Sequence, residues 1–186
     1  QERIQEEVAR ACRAAGLVTG PLHAEVRVNE QGVWLLEVAA RSIGGLCARA
    51  LNHLLGMSLE ELILRQALGE PVPSFAAGME AAGEGAAAGV MMIPIPRRGI
   101  YQGLDGLAAA QSVPGVTGVA ITVEPGQIIA PPPDGGSYLG FIFARAASPA
   151  DAEIALRTAH RRLHFDIRPE YPALIHRPTT ARSTQA

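Results

Sequence analysis

Residues 22–45 read Leu-His-Ala-Glu-Val-Arg-Val-Asn-Glu-Gln-Gly-Val-Trp-Leu-Leu-Glu-Val-Ala-Ala-Arg-Ser-Ile-Gly-Gly, and this stretch restricts the fold more tightly than any other. Leu22, Ala24, Val26 and Val28 alternate with His23, Glu25 and Arg27, the period of two that a β-strand requires. A second run carries Glu37, Ala39 and Arg41 along one face. Glu30-Gln31-Gly32 reads as a three-residue hairpin loop, with glycine at the position that takes positive φ. That loop predicts a register with Asn29 facing Val33, Arg27 facing Leu35, Glu25 facing Glu37 and His23 facing Ala39.

Two carboxylates then look at each other. Opposed β-carbons in a hairpin lie about 4.5–5.5 Å apart, and like charges so placed destabilise it by a few tenths to about 1 kcal/mol. A proton, a neighbouring arginine or a divalent cation would offset the repulsion. Paired carboxylates with room for phosphate oxygens are how Mg²⁺ is held. Arg41 continues the face, and Gly44-Gly45 beyond it allows close approach of backbone N–H groups to an anion. The competing reading is a solvated hairpin whose carboxylates splay into water, with Gly44-Gly45 a simple turn.

The pattern His-x-Glu, hairpin, Leu-Leu-Glu-x-x-x-Arg-x-x-Gly-Gly resembles the C-terminal half of an ATP-grasp domain, in particular that of the carboxylate–amine ligases such as the L-amino acid ligases. The resemblance implies that Glu25 and Glu37 bind Mg²⁺, or Mn²⁺ in its place, bridging the phosphates of ATP. It implies that Arg41 stabilises phosphoryl transfer and the acyl phosphate, and that His23, Gly44 and Gly45 contact the nucleotide or substrate. The common family pattern has Asn two positions after the second Glu; this chain has Ala39, which leaves the number of metal ions open. Weaker similarity, to the domain that follows the ATP-grasp in these ligases and in biotin carboxylases, runs to about residue 168.

The expected architecture is α+β: the C-terminal half of an ATP-grasp domain over residues 1–75, a small antiparallel-sheet plus helix lobe over 76–168, and a mobile tail over 169–186. The implied reaction joins a small-molecule carboxylate to an amine through an acyl phosphate. The competing class is a non-catalytic assembly or substrate-binding module derived from such an enzyme.

Composition narrows the partners. Of 186 residues 48% are hydrophobic, enough for a sizeable core. A net charge of −2 with 4% aromatics lacks the basic, aromatic-studded stripe of a nucleic-acid binder. All 16 basic residues are arginine. The lysines with which ATP-grasp enzymes hold phosphate and adenine would therefore have to come from N-terminal lobes outside this chain. With Gln rather than Met at position 1, that favours a fragment of a longer protein, inactive alone. Cys12 and Cys47 are too few for a disulfide framework, and no apolar run or signal peptide is visible, so the expected location is the cytoplasm. A homodimer is compatible with everything above.

Elsewhere the sequence predicts an amphipathic helix over residues 2–15 stopped by Gly16, and a helix over Leu46–Leu55 ended by Gly56. Ser58 with Glu61 has the form of a capping box for a third helix through about Leu68. Residues 74–89, rich in Ala and Gly, read as a crossing between lobes. Strands are expected at Val90–Ile95, Val116–Val123, Gln127–Ala130 and Leu139–Ala144. Arg97-Arg98-Gly99 reads either as an anion contact or as a solvated turn. A last helix begins at Ser148-Pro149 and runs toward Leu163, placing His160 and His164 on one face at i, i+4, with no third ligand for zinc.

Overall fold

The computed structural model of the chain describes residues 2–44, 46–49, 56–72, 87–135 and 138–170. It is a mixed fold of antiparallel sheets and helices. Helix α1, Glu2–Ala14, buries Cys12 and packs on the hairpin; Gly16 at φ +74° ends it, and the Leu17 N–H donates to the Cys12 carbonyl at 2.8 Å. The hairpin is β1, His23–Asn29, with β2, Gly32–Ala39. Helix α2, Leu59–Ala67, starts at Ser58, whose hydroxyl accepts the Glu61 N–H at 3.0 Å. The Glu61 carboxylate pairs with Arg65 at 2.8 Å, forward along the helix, so the cap is stabilised from one side. The Leu46–Leu55 helix is described only at Leu46–Arg49, where the Arg49 N–H reaches the Leu46 carbonyl; residues 50–55 lie outside the described residues, as do Gly45, most of the 74–89 crossing and the tail from 171.

The hairpin register departs from expectation near the turn and agrees where the acids sit. Asn29 pairs with Gly32, Val28 with Val33, Arg27 with Trp34 and Val26 with Leu35; then Leu36 bulges, and Glu25 faces Glu37 and His23 faces Ala39. The loop holds two residues rather than three, because the Asn29 side-chain oxygen accepts the N–H groups of Gln31 and Gly32, both at 3.0 Å, and the Trp34 indole N–H at 3.3 Å. A turn one residue shorter and a bulge one residue longer cancel. The expected facings of Asn29 with Val33 and Arg27 with Leu35 are thereby corrected.

The C-terminal part forms two three-stranded antiparallel sheets. One has the order β3 (Ala87–Ile93), β7 (Gly140–Ala146), β5 (Val116–Ile121); the other β6 (Ile128–Ile129), β4 (Gly99–Asp105), β8 (His164–Arg168). A short helix α3, Leu107–Gln111, follows β4, and α4, Pro149–His160, lies across β7 and β3. Ser148 caps α4 by accepting the Asp151 N–H at 3.2 Å, with Pro149 in the first turn. Its buried face is Ala152, Ala155, Leu156 and Ala159; the three alanines are short enough for close approach to the sheet, and Gly89 leaves room for the Leu156 methyl. The core of Ile93, Tyr101, Ile129, Leu139, Ile142, Leu156 and Ile167 lies wholly in this part. Before residue 73, Cys12 is the one buried apolar side chain among the described residues, and Val18, Trp34, Leu36, Leu64 and Leu68 are exposed.

Two strands escaped the sequence pattern. In β4, the ladder slips between Tyr101 and Gly103, and a bulge erases the alternation that periodicity detects. In β8, His-Phe-Asp-Ile-Arg alternates cleanly but abuts the helix: α4 stops at His160, and His164 opens the strand, so the two histidines do not share a helical face. Arg97 and Arg98 are occupied structurally, Arg97 donating to the Ile167 carbonyl at 2.6 Å and Arg98 pairing with Glu170 at 2.9 Å. This places Glu170, expected in the tail, against the lobe.

Ile142→Ala empties the centre of the larger sheet and is expected to cost about 2–5 kcal/mol in a denaturant titration. Gly106→Ala, whose φ is +83° and whose new Cβ would meet the Arg162 carbonyl oxygen, is expected to cost at least about 1 kcal/mol. Leu64→Ala, at an exposed site, should stay within about 0.5 kcal/mol.

Candidate functional site

The site is the face of the hairpin that carries His23, Glu25, Arg27, Trp34, Glu37 and Ala39. The bulge at Leu36 keeps Glu37 in direct opposition to Glu25 even though the turn is short; without it the second acid would fall on the opposite face, since a one-residue slip reverses every side chain. Among the described residues each acid has one basic side chain beside it. His23 Nε2 lies 3.3 Å from Glu25 Oε1, and Arg41 Nη2 lies 4.0 Å from Glu37 Oε1. Both carboxylates are more than half exposed, at 55% and 54%, so these contacts offset the mutual repulsion only partly. Arg41 also donates from Nη1 to the Ser42 carbonyl at 3.0 Å, which turns its guanidinium along the chain leading to Gly44.

The structure thus brings together His23, Glu25, Glu37 and Arg41. Gly44 stands three residues beyond Arg41, with open space on its Cα, and Gly45 is outside the described residues. Arg27 is not within ion-pair distance of Glu25; it faces Trp34 across the ladder. Trp34 on the same face was not anticipated. Asn29 two residues before Gln31 was the available signal, because its side chain builds the shorter turn that moves Trp34 opposite Arg27.

Two opposed carboxylates suit Mg²⁺, which keeps several waters and takes one or two protein carboxylates together with substrate phosphates. Among the described residues no group of three or more His, Cys, Asp or Glu could cage a metal ion unaided. The donor set therefore fits a cation shared with a phosphate ligand and does not fit a closed structural metal site. Among them, too, no helix is long and apolar enough to cross a membrane.

Comparison with known proteins bears on the family and the fold. Residues 1–50 match the family model of the ATP-grasp domain, and residues 91–168 match that of the L-amino acid ligase C-terminal domain 2. In both sheet architecture and sequence the chain is therefore similar to the C-terminal part of ATP-grasp enzymes. The L-amino acid ligases are among the enzymes it is similar to. The L-amino acid ligase from Bacillus licheniformis superimposes with a TM-score of 0.72 at 28% identity, over 89% of this chain and 40% of that one. The phosphoribosylglycinamide synthetase from Anaerococcus prevotii shares the fold, with a TM-score of 0.67 at 15% identity, over 90% of this chain and 43% of its own. An uncharacterized protein of Sinorhizobium fredii, y4rH, is 27% identical over 168 residues, 90% of this chain and 34% of y4rH. The chain spans about a third to two fifths of the length of these relatives.

Replacing Glu25 with Gln removes the like-charge opposition. In the absence of divalent cation this is expected to leave thermal stability unchanged or raise it, by up to about 1 kcal/mol. A scanning calorimetry experiment with and without chelator checks it; a clear destabilisation would mean that the His23 contact outweighs the repulsion.

Proposed function

We propose that the protein containing this chain is an ATP-dependent carboxylate–amine ligase, and that the chain supplies its metal-binding acids and phosphate-contacting arginine. The observation that carries this reading is the direct facing of Glu25 and Glu37 with Arg41 beside Glu37. In the proposed reaction a carboxylate oxygen of the first substrate attacks the γ-phosphorus of ATP, releasing ADP and forming an acyl phosphate. The amine of the second substrate then attacks the acyl carbon, and inorganic phosphate leaves. Little covalent chemistry falls to the protein, so catalysis is positioning and charge neutralisation.

Glu25 and Glu37 would hold Mg²⁺ or Mn²⁺; the bound cation neutralises charge on the ATP phosphates. Arg41 would neutralise the transferring phosphoryl group, His23 would orient Glu25 or contact phosphate, and Gly44 with Gly45 would line the nucleotide or substrate. The exposed apolar side chains of the hairpin and α2 agree with a covering by further ATP-grasp lobes, which would also bring lysines. The proposed setting is the cytoplasm, with small-molecule substrates, no nucleic acid and no membrane.

Ala39 favours a second reading. Where the ATP-grasp pattern has Asn, this chain offers no donor, as a non-catalytic module would allow. The two readings diverge on turnover. Glu37→Gln in the complete protein is expected to abolish ATP consumption, followed as phosphate release in the presence of mixed amino acids; retained turnover rejects the metal role of Glu37. Wild-type protein with no ATP consumption would favour the module. Under the ligase reading Ala39→Asn adds an oxygen donor beside Glu37 and is expected to lower the Mn²⁺ concentration that half-saturates turnover.

A further inference from the structure

Strand β7 has two working faces. Ile142 and Ala144 turn into the core, where α4 packs on the strand. Phe141 and Phe143 point the other way, yet each is only 6% exposed. Their rings stack at 6.4 Å between centroids with planes 18° apart, and Tyr138 meets Phe141 edge-on at 6.2 Å. The result is a fixed aromatic row on the side of the sheet away from α4.

The Arg49 guanidinium carbon lies 5.6 Å from the centroid of the Phe143 ring, within cation–π range. Arg49 stands eight residues after Arg41 and five after Gly44, and its N–H closes a turn on the Leu46 carbonyl at 3.0 Å. A short connection therefore runs from the acid-bearing hairpin through Arg41 and Gly44 to a cation seated on the C-terminal lobe. We infer that Arg49 is a positioning residue: its guanidinium, over the Phe143 ring, anchors the Leu46–Arg49 turn to the β3-β7-β5 sheet and so restricts where Arg41, a few residues earlier, stands relative to Glu37. Phe143 suits the part because stacking and burial hold its ring in one place. Arginine suits it because a planar, delocalised cation stacks where an ammonium does not.

The anchoring is a statement about the structure alone; its effect on catalysis rests on the ligase reading, and the two are separable by experiment. Hydrogen exchange of the amides of residues 41–49 reads the anchor directly. Arg49→Lys, which keeps charge and loses the plane, and Phe143→Leu, which keeps apolar bulk and loses the ring, should each raise exchange in this segment about two- to fivefold. The double variant should exchange no faster than the faster single one. Unchanged exchange in Arg49→Lys, a substitution too mild to unfold the lobe, overturns the anchor.

In the complete protein, Arg49→Lys should lower kcat about fivefold while the KM for ATP stays within about twofold. Faster exchange with unchanged kcat overturns the positioning role. If the wild-type protein consumes no ATP, the ligase reading falls, and the exchange result still decides the anchor by itself.

Discussion

Two like charges facing each other across an antiparallel ladder are the constraint around which the N-terminal part of this chain is arranged. Nothing in hairpin packing calls for them: apolar or oppositely charged pairs at that position would stabilise the ribbon. Instead Glu25 and Glu37 are held opposite, with His23 beside the first, Arg41 beside the second and both open to solvent. Exposed contacts of this kind contribute under about 1 kcal/mol each, too little to explain the pair as a stabilising device. Under the proposed ligase function, a cation carrying phosphate would complete the charge of this face.

The two parts of the chain are stabilised differently. From residue 87 onward, two small sheets, a short helix and α4 enclose a continuous apolar core with alanines at the helix contact and glycines where backbones approach. Before residue 73 the described residues bury one apolar side chain, and the hairpin leans on α1 with Trp34 and Leu36 still open. A ribbon with so little core is marginal by itself. Its geometry has to be supplied by what surrounds it, and the Arg49 guanidinium over the Phe143 ring is one point at which the well-packed lobe reaches the segment that follows the hairpin.

Much of this was legible from residue patterns, for identifiable reasons. The stop of α1 followed from Gly16 and the starts of α2 and α4 from Ser58 and Ser148-Pro149, whereas the facing of Glu25 and Glu37 came out as expected only because a shorter turn and a bulge cancel. What was not legible came from side chains acting across the period. Asn29 shortened the turn, Leu36 restored the register, and a bulge near Gln102 broke the alternation of β4. Strand β8 was hidden because a four-residue spacing of histidines imitates a helix when the chain turns from one element to the next. Arg49 on Phe143 joins positions 94 residues apart, and no local pattern announces a contact of that kind.

The central claim is that one cation bridges the two arms of the ribbon. Anomalous scattering from Mn²⁺ in crystals of the complete protein grown with a nucleotide addresses it most directly. The account predicts an anomalous peak with carboxylate oxygens of both Glu25 and Glu37 at roughly 2.1 Å, the distance that Mg²⁺-type coordination demands. A peak touching only one of them, or metal and phosphates gathered away from this face, would contradict it.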